Sequence, residues 1–257
     1  MNKLREWFRR MAGGEVRRMG FGSAAPKPKP PTVGLLAVLP SLSEDVASEA
    51  LKAGADGLVV PAGLAADAER LRAVMQSTAN CLWGLQLGEG KATESTDGFD
   101  FLLLSASSYL STLDTEDMGR LIAVDPSWDD MQLRAVDQIP VEGVVFSLLP
   151  TGEDRPRLEH LLALRRISML MRKALIVELR RSLPSKELAA LRDGGLSAIL
   201  VPGDTQKWVE IVKEFRKTID TLPIKAKAPR EREVDVVLPT TPHGKPSETE
   251  QEEEEEP

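Results

Sequence analysis

The chain is short of the residues that do most polar chemistry. In 257 residues it has one cysteine, Cys81, and two histidines, His160 and His243. A lone cysteine rules out an intrachain disulfide, supplies no zinc-ligand spacing and fits a reducing compartment. Cys81 opens an apolar run and reads as a small buried hydrophobe. His160 falls in an Arg-rich helical stretch, where a solvated residue is expected, and His243 in a polar tail. Aromatics are 4% of the chain and its net charge is −7, which supplies neither stacking platforms nor a basic field, so no nucleic acid partner is expected. No apolar stretch approaches the ~20 residues that cross a bilayer. The N-terminus has no secretory apolar segment, so a cytoplasmic location is expected, with peripheral membrane attachment as its alternative. The glycine fingerprints of dinucleotide and triphosphate sites and the nucleophile elbow are absent; no cofactor and no Cys- or His-based metal set follow from the sequence.

What the chain does have is a rhythm of eight short apolar runs, at 33–39, 57–62, 81–87, 99–105, 120–124, 143–149, 174–179 and 197–201. Most are continuously apolar, as strands covered on both faces are. Between most of them lie amphipathic stretches at 44–52, 65–75, 128–136, 157–171, 186–191 and 206–219. Ser43, Ser127, Pro184 with Ser185, and Asp204 stand where helices would begin; Gly54 and Gly194 stand where helices would end. Strand alternating with helix eight times predicts an α/β fold, a single (β/α)8 TIM barrel over 33–222. Only about ten residues, 88–97, join the third run to the fourth, which predicts a truncated third crossover.

Residues 50–63 (ALKAGADGLVVPAG) and 190–203 (ALRDGGLSAILVPG) echo one another at a spacing of 140. The first resembles the helix, Gly-Ala-Asp-Gly, strand passage of aldolase-type TIM barrels. The resemblance spans about 33–222 and implies a ligand site at the C-terminal rim of the barrel. Two features of that superfamily are missing. No run carries a Lys near its C-terminal end for a Schiff base, Lys173 lying just before the seventh. The turn after the eighth run is Val201-Pro-Gly-Asp-Thr205, in which Pro202 lacks an N–H and Asp204 repels an anion, so a phosphate cup is not expected there.

Polar residues at the strand ends are therefore the candidates for chemistry. Asp125 and Glu178 are the expected catalytic pair, placed for proton transfer or for one Mg²⁺; Gln86, Ser105, Ser147 and Arg180 are the expected substrate contacts. Glu178 and Arg180 share parity in the seventh run and so project to one face. The alternative is structural: Glu178 and Arg180 form an ion pair, and Asp125 caps the turn before Pro126.

Charge is concentrated at the ends. Residues 1–31 carry eight cations against two acids. Within the basic segment 1–21, Leu4, Trp7, Phe8 and Met11 make an apolar stripe beside Arg9 and Arg10, suited to an anionic membrane surface or a protein partner, or to docking on the barrel's bottom. A Pro-rich linker, 22–32, follows. Residues 223–257 lose helical pattern and end in a run of glutamates, so a disordered acidic tail is expected, with 234–238 a brief apolar exception. The resulting expectation is a small-molecule-binding barrel with lyase- or isomerase-like chemistry. Its alternative is an inactive barrel, a pseudoenzyme, acting as a scaffold or peripheral membrane protein through charged termini.

Overall fold

The computed structural model describes residues 2–12, 32–78, 81–88, 96–114, 118–149, 155–205 and 207–223. The chain divides into two units, Met1–Lys225 and Ala226–Pro257, and the second lies outside the described residues. So do most of the basic segment beyond α1, nearly all of the Pro-rich linker, the 234–238 run and the acidic end.

Eight strands form a closed, all-parallel barrel in sequence order: β1 (Gly34–Val38), β2 (Gly57–Pro61), β3 (Leu82–Gln86), β4 (Phe101–Leu104), β5 (Gly119–Ala123), β6 (Gly143–Ser147), β7 (Ala174–Glu178) and β8 (Leu196–Val201). The ring closes by pairing β1 with β8, Gly34 against Ala198 and Leu36 against Leu200. The helices are α1 (Lys3–Met11), α2 (Glu44–Lys52), α3 (Ala68–Ser77), α4 (Asp130–Gln138), α5 (Leu158–Leu170), α6 (Ser185–Gly194) and α7 (Trp208–Asp220). Among the described residues no helix joins β3 to β4, and only a 3-10 turn (Leu110–Leu113) lies between β4 and β5. No helix is long and apolar enough to cross a membrane among the described residues.

Each strand buries both faces, which is why the runs are continuously apolar. Leu35, Leu58, Leu85, Leu102, Val144 and Val177 pack outward against the helices. Leu36, Val59, Phe101, Leu121, Val145 and Ile176 fill the interior. At the N-terminal rim the even strands share a device. Asp56, Asp100 and Glu142, each just before its strand, accept the backbone N–H of Leu35, Trp83 and Arg120 on the preceding strand at 2.8, 2.9 and 2.7 Å; in β8 the Ser197 hydroxyl accepts from Leu175 at 3.3 Å. These side chains satisfy donors that the ladder leaves open at the strand starts.

The N-terminal helix closes this end. Leu4 and Trp7 are buried with the interior cluster, while Phe8 and Met11 are partly buried against it. Glycines make the room: a Cβ on Gly34 would lie 2.3 Å from the Trp7 ring, and one on Gly119 would lie 2.7 Å from the Leu4 Cβ. Lys3 pairs with Asp100 at 2.7 Å and Arg5 with Glu142 at 3.2 Å, and the Asn2 amide donates to Glu142 at 3.0 Å. Of the surfaces expected for the stripe of Leu4 and Trp7, a membrane, a partner or the barrel's bottom, the structure has both side chains turned into the barrel's bottom. An amphipathic period says that one face needs covering and leaves open what covers it. Arg9 and Arg10 remain exposed.

Other sequence expectations shift for local reasons. His160 is buried rather than solvated, its Nδ1 accepting from the Arg157 backbone at 2.9 Å to cap α5. The left-handed residue ending α6 is Gly195, φ +119°, one position beyond Gly194. The internal echo therefore superposes at a spacing of 141, matching Gly54 with Gly195, Asp56 with Ser197 and Pro61 with Pro202. A spacing of 140 would match inward Val59 with outward Ile199, because one residue of slip turns a strand over. Helix α4 starts at Asp129, not Ser127, with a full capping box to Gln132, and α7 is preceded by Lys207 in the left-handed region, not by Asp204 as a cap.

Candidate functional site

The C-terminal ends of the strands form the opposite mouth. Inward parity, set by Val38, Leu103, Ile176 and Leu200 below, carries upward to Gln86 on β3, Ser147 on β6 and Glu178 on β7. Gln86 and Glu178 line a cleft of about 440 Å³ with Arg180 and Asp204 from the following loops. Its walls are Val38, Leu39, Pro40, Pro61, Leu64, Leu200, Pro202 and Gly203. Three of these are prolines, which lack an N–H, so the rim offers few backbone donors and side chains supply its polarity.

The charged centre is a chain of three groups. Arg180 donates to Glu178 Oε1 at 3.0 Å and, from its other amino group, to both Asp204 oxygens at 2.7 Å. The hydrogen bond from Arg180 holds the Asp204 carboxyl below the usual range, and the same contact raises the arginine. Two carboxylates on one guanidinium leave the mouth with a net negative charge. Glu178 Oε2 accepts no hydrogen bond among the described residues, which leaves it open to a ligand.

Gly203 positions Asp204. A Cβ there would lie 2.5 Å from the Val38 carbonyl and 2.7 Å from the Pro40 nitrogen, so the turn after β8 lies directly on the end of β1.

The remaining sequence candidates are not brought to this cleft. Asp125 is fully exposed, accepts from the Ser127 backbone at 2.8 Å, and is held below its usual range by Ser127. It organises the turn before α4, the structural alternative read from the sequence. The Ser105 backbone N–H donates to the Ser108 hydroxyl at 3.0 Å, and the Ser105 hydroxyl lies 2.8 Å from that of Ser107. Ser147 pairs with Glu178 in the ladder, but its hydroxyl donates to the Leu149 carbonyl at 3.1 Å. Asp204 is the residue sequence reasoning undervalues: local pattern makes it a helix start and a deterrent to anions, whereas its contact with Arg180 joins positions 24 apart that no local pattern links. Among the described residues, no group of three or more His, Cys, Asp or Glu is arranged to hold a metal ion.

No protein-family model matches the chain, and no curated protein matches it in sequence. Solved structures do match its fold. A variant tryptophan synthase alpha-subunit from the hyperthermophile Pyrococcus furiosus superposes with a TM-score of 0.56 at 11% identity, over 72% of this chain and 98% of that one. A second variant of that protein gives 0.53 at 12%, over 74% and 97%. Tryptophan synthase from M. tuberculosis gives 0.51 at 12%, over 73% and 92%. Identities this low speak to architecture alone, and the architecture is that of a (β/α)8 TIM barrel, the fold this chain shares with tryptophan synthase alpha-subunits.

Proposed function

We propose that the barrel binds a small polar molecule at its C-terminal mouth, with Glu178 as the acid–base group, Gln86 as a neutral hydrogen-bonding contact, and Arg180 held in place by Asp204. The observation that carries this reading is the Glu178–Arg180–Asp204 chain standing over the 440 Å³ cleft, with one Glu178 oxygen unengaged. Barrels of this kind do their chemistry at this end, because the strand C-termini converge there and their loops vary independently. The net negative charge and the proline-lined turn favour an uncharged or cationic ligand over a free phosphate. A lyase- or isomerase-like proton transfer is the reaction class that one free carboxylate oxygen supports.

The test is a thermal-shift screen of small metabolites on the intact chain, repeated with Glu178→Gln and Arg180→Met. A true ligand raises the unfolding temperature by native-state binding, worth about 2.7 kcal/mol at a hundred times its Kd, and both substitutions abolish that shift. Equal shifts in all three proteins would remove the cleft from the account. A second reading, a catalytically silent scaffold, draws on the same triad: Arg180 is already matched by two carboxylates, as a purely structural cluster would be. It expects no ligand and unchanged stability when Glu178→Gln, Arg180→Met and Asp204→Asn are combined, since exposed ion pairs contribute little.

A further inference from the structure

The other end of the barrel holds a second cavity, of about 690 Å³, between α1 and the starts of β7 and β8. Its charged lining is Arg9, Arg172, Lys173 and Arg192 with the carboxylate of Glu142, and Phe8 and Met11 add an apolar wall. Arg192 is already paired with Asp193 at 2.9 Å, which leaves Arg9, Arg172 and Lys173 as the cations available to a ligand. Glu142 is already engaged, accepting from the Arg120 backbone at 2.7 Å, from Asn2 at 3.0 Å and from Arg5 at 3.2 Å. Arg9 has no ion-pair partner among the described residues, and Lys173 donates only to the neutral carbonyl of Ile139, at 3.1 Å. The Arg172 guanidinium reaches Asp137 only at 3.7 Å, that carboxylate accepting the Arg172 backbone N–H at 2.8 Å.

The ion pairs of this face are also layered. The side chains of Lys3, Arg5 and Arg172 are 69, 77 and 96% exposed, whereas their partners Asp100, Glu142 and Asp137 are 10, 8 and 19% exposed. In these three pairs the carboxylates lie beneath and the cations outside; in the Arg192–Asp193 pair the order is reversed, with the cation buried. At these three pairs an approaching ion therefore meets positive charge first, although the chain as a whole is acidic.

We propose that this cavity binds a phosphomonoester attached to an apolar group. A phosphomonoester carries close to two negative charges and three acceptor oxygens, enough to engage several of these cations at once, as a single carboxylate is not. Phe8 and Met11 take the apolar part. The site lies at the end of the barrel away from the chemistry, so the ligand anchors or regulates the protein and is not its substrate. The same chemistry comes from two sources, a free phosphorylated amphiphile or the headgroup of a phospholipid in a membrane.

Calorimetric titration of the intact chain with inorganic phosphate and with dihexanoyl phosphatidic acid below its micelle range tests the first source. Co-sedimentation with phosphatidylcholine vesicles, with and without long-chain phosphatidic acid, tests the second. Both are repeated on Arg9→Gln/Lys173→Gln, whose unfolding midpoint is measured alongside, and on the charge-keeping Arg9→Lys/Lys173→Arg. The expected result is saturable binding of dihexanoyl phosphatidic acid, tighter than inorganic phosphate, weakened at least about tenfold in the glutamine pair and retained in the conservative pair. Binding only to vesicles that contain phosphatidic acid, with the same dependence on the two cations, supports the proposal and assigns the membrane source. Absence of saturable binding to every probe, or equal binding by the glutamine pair, overturns it. The result is independent of the Glu178 cleft, which stands or falls by its own screen.

Discussion

Gly34 and Trp7 are a single packing decision made by two residues. A Cβ at position 34 would sit 2.3 Å from the indole, and the ring has no room to yield because it is itself buried inside the barrel. Gly34→Ala is expected to cost about 1–3 kcal/mol by overpacking. Urea unfolding checks this, and in the double variant with Trp7→Leu the cost should fall well below the sum of the two single effects, as contacting residues couple. Cys81 illustrates chemistry suppressed by surroundings. Burial, with Asp100 nearby, pushes its thiol up to about 11, so thiolate is scarce at neutral pH. Its alkylation by iodoacetamide should be slow at neutral pH and rise toward a midpoint of about 11, not the ~8.5 of a free thiol. A midpoint near the free value would place Cys81 in solvent.

At the scale of elements, α1 is the helix whose role differs most from its appearance. Basic residues on one side and an apolar stripe on the other describe a surface-seeking helix. In the fold, Leu4 and Trp7 fill the space left by glycines, and Lys3 and Arg5 reach carboxylates that already serve the strand ladder. Trp7→Ala should therefore cost about 3–5 kcal/mol, the usual range for a large buried aromatic, read as a lower urea midpoint. A helix lying free of the barrel would leave the midpoint unchanged. The β3–β4 connection is the opposite case: only fourteen residues, 87–100, separate the strands, and the described ones among them form no helix, a shortness legible from chain length alone.

At the scale of the whole barrel, closing the ring joins the first strand to the last, and α7 secures the seam. Arg216 donates to the Gly54 carbonyl at 2.8 Å, across 162 residues, and pairs with Asp56 at 2.9 Å. Burial raises the Asp56 carboxyl above its ordinary value of 3.8, and Arg216 is the main force opposing that rise. A carboxyl whose folded pKa is raised holds its proton more tightly in the folded state, so stability falls as pH climbs from the ordinary value through the raised one. Removing Arg216 pushes the carboxyl higher still and deepens the loss. Arg216→Ala should cost little near pH 4 and about 1–3 kcal/mol near pH 7, measured by urea unfolding at both. A penalty that ignores pH would exclude Asp56 as its cause.

The sequence alone determined the barrel, because each strand and helix is written in the burial pattern of its own few residues, and eight alternations leave one economical closure. It also put Gln86, Glu178 and Arg180 at one rim, since strand parity and polarity are local. Tertiary structure decided the rest. Whether Asp125 joined Glu178, whether Asp204 reached Arg180, and whether Trp7 faced outward or inward depended on distances between segments far apart in the chain. Those distances are set by how strands tilt and loops pack, as Gly203 does on the end of β1, and no periodicity within a segment encodes them.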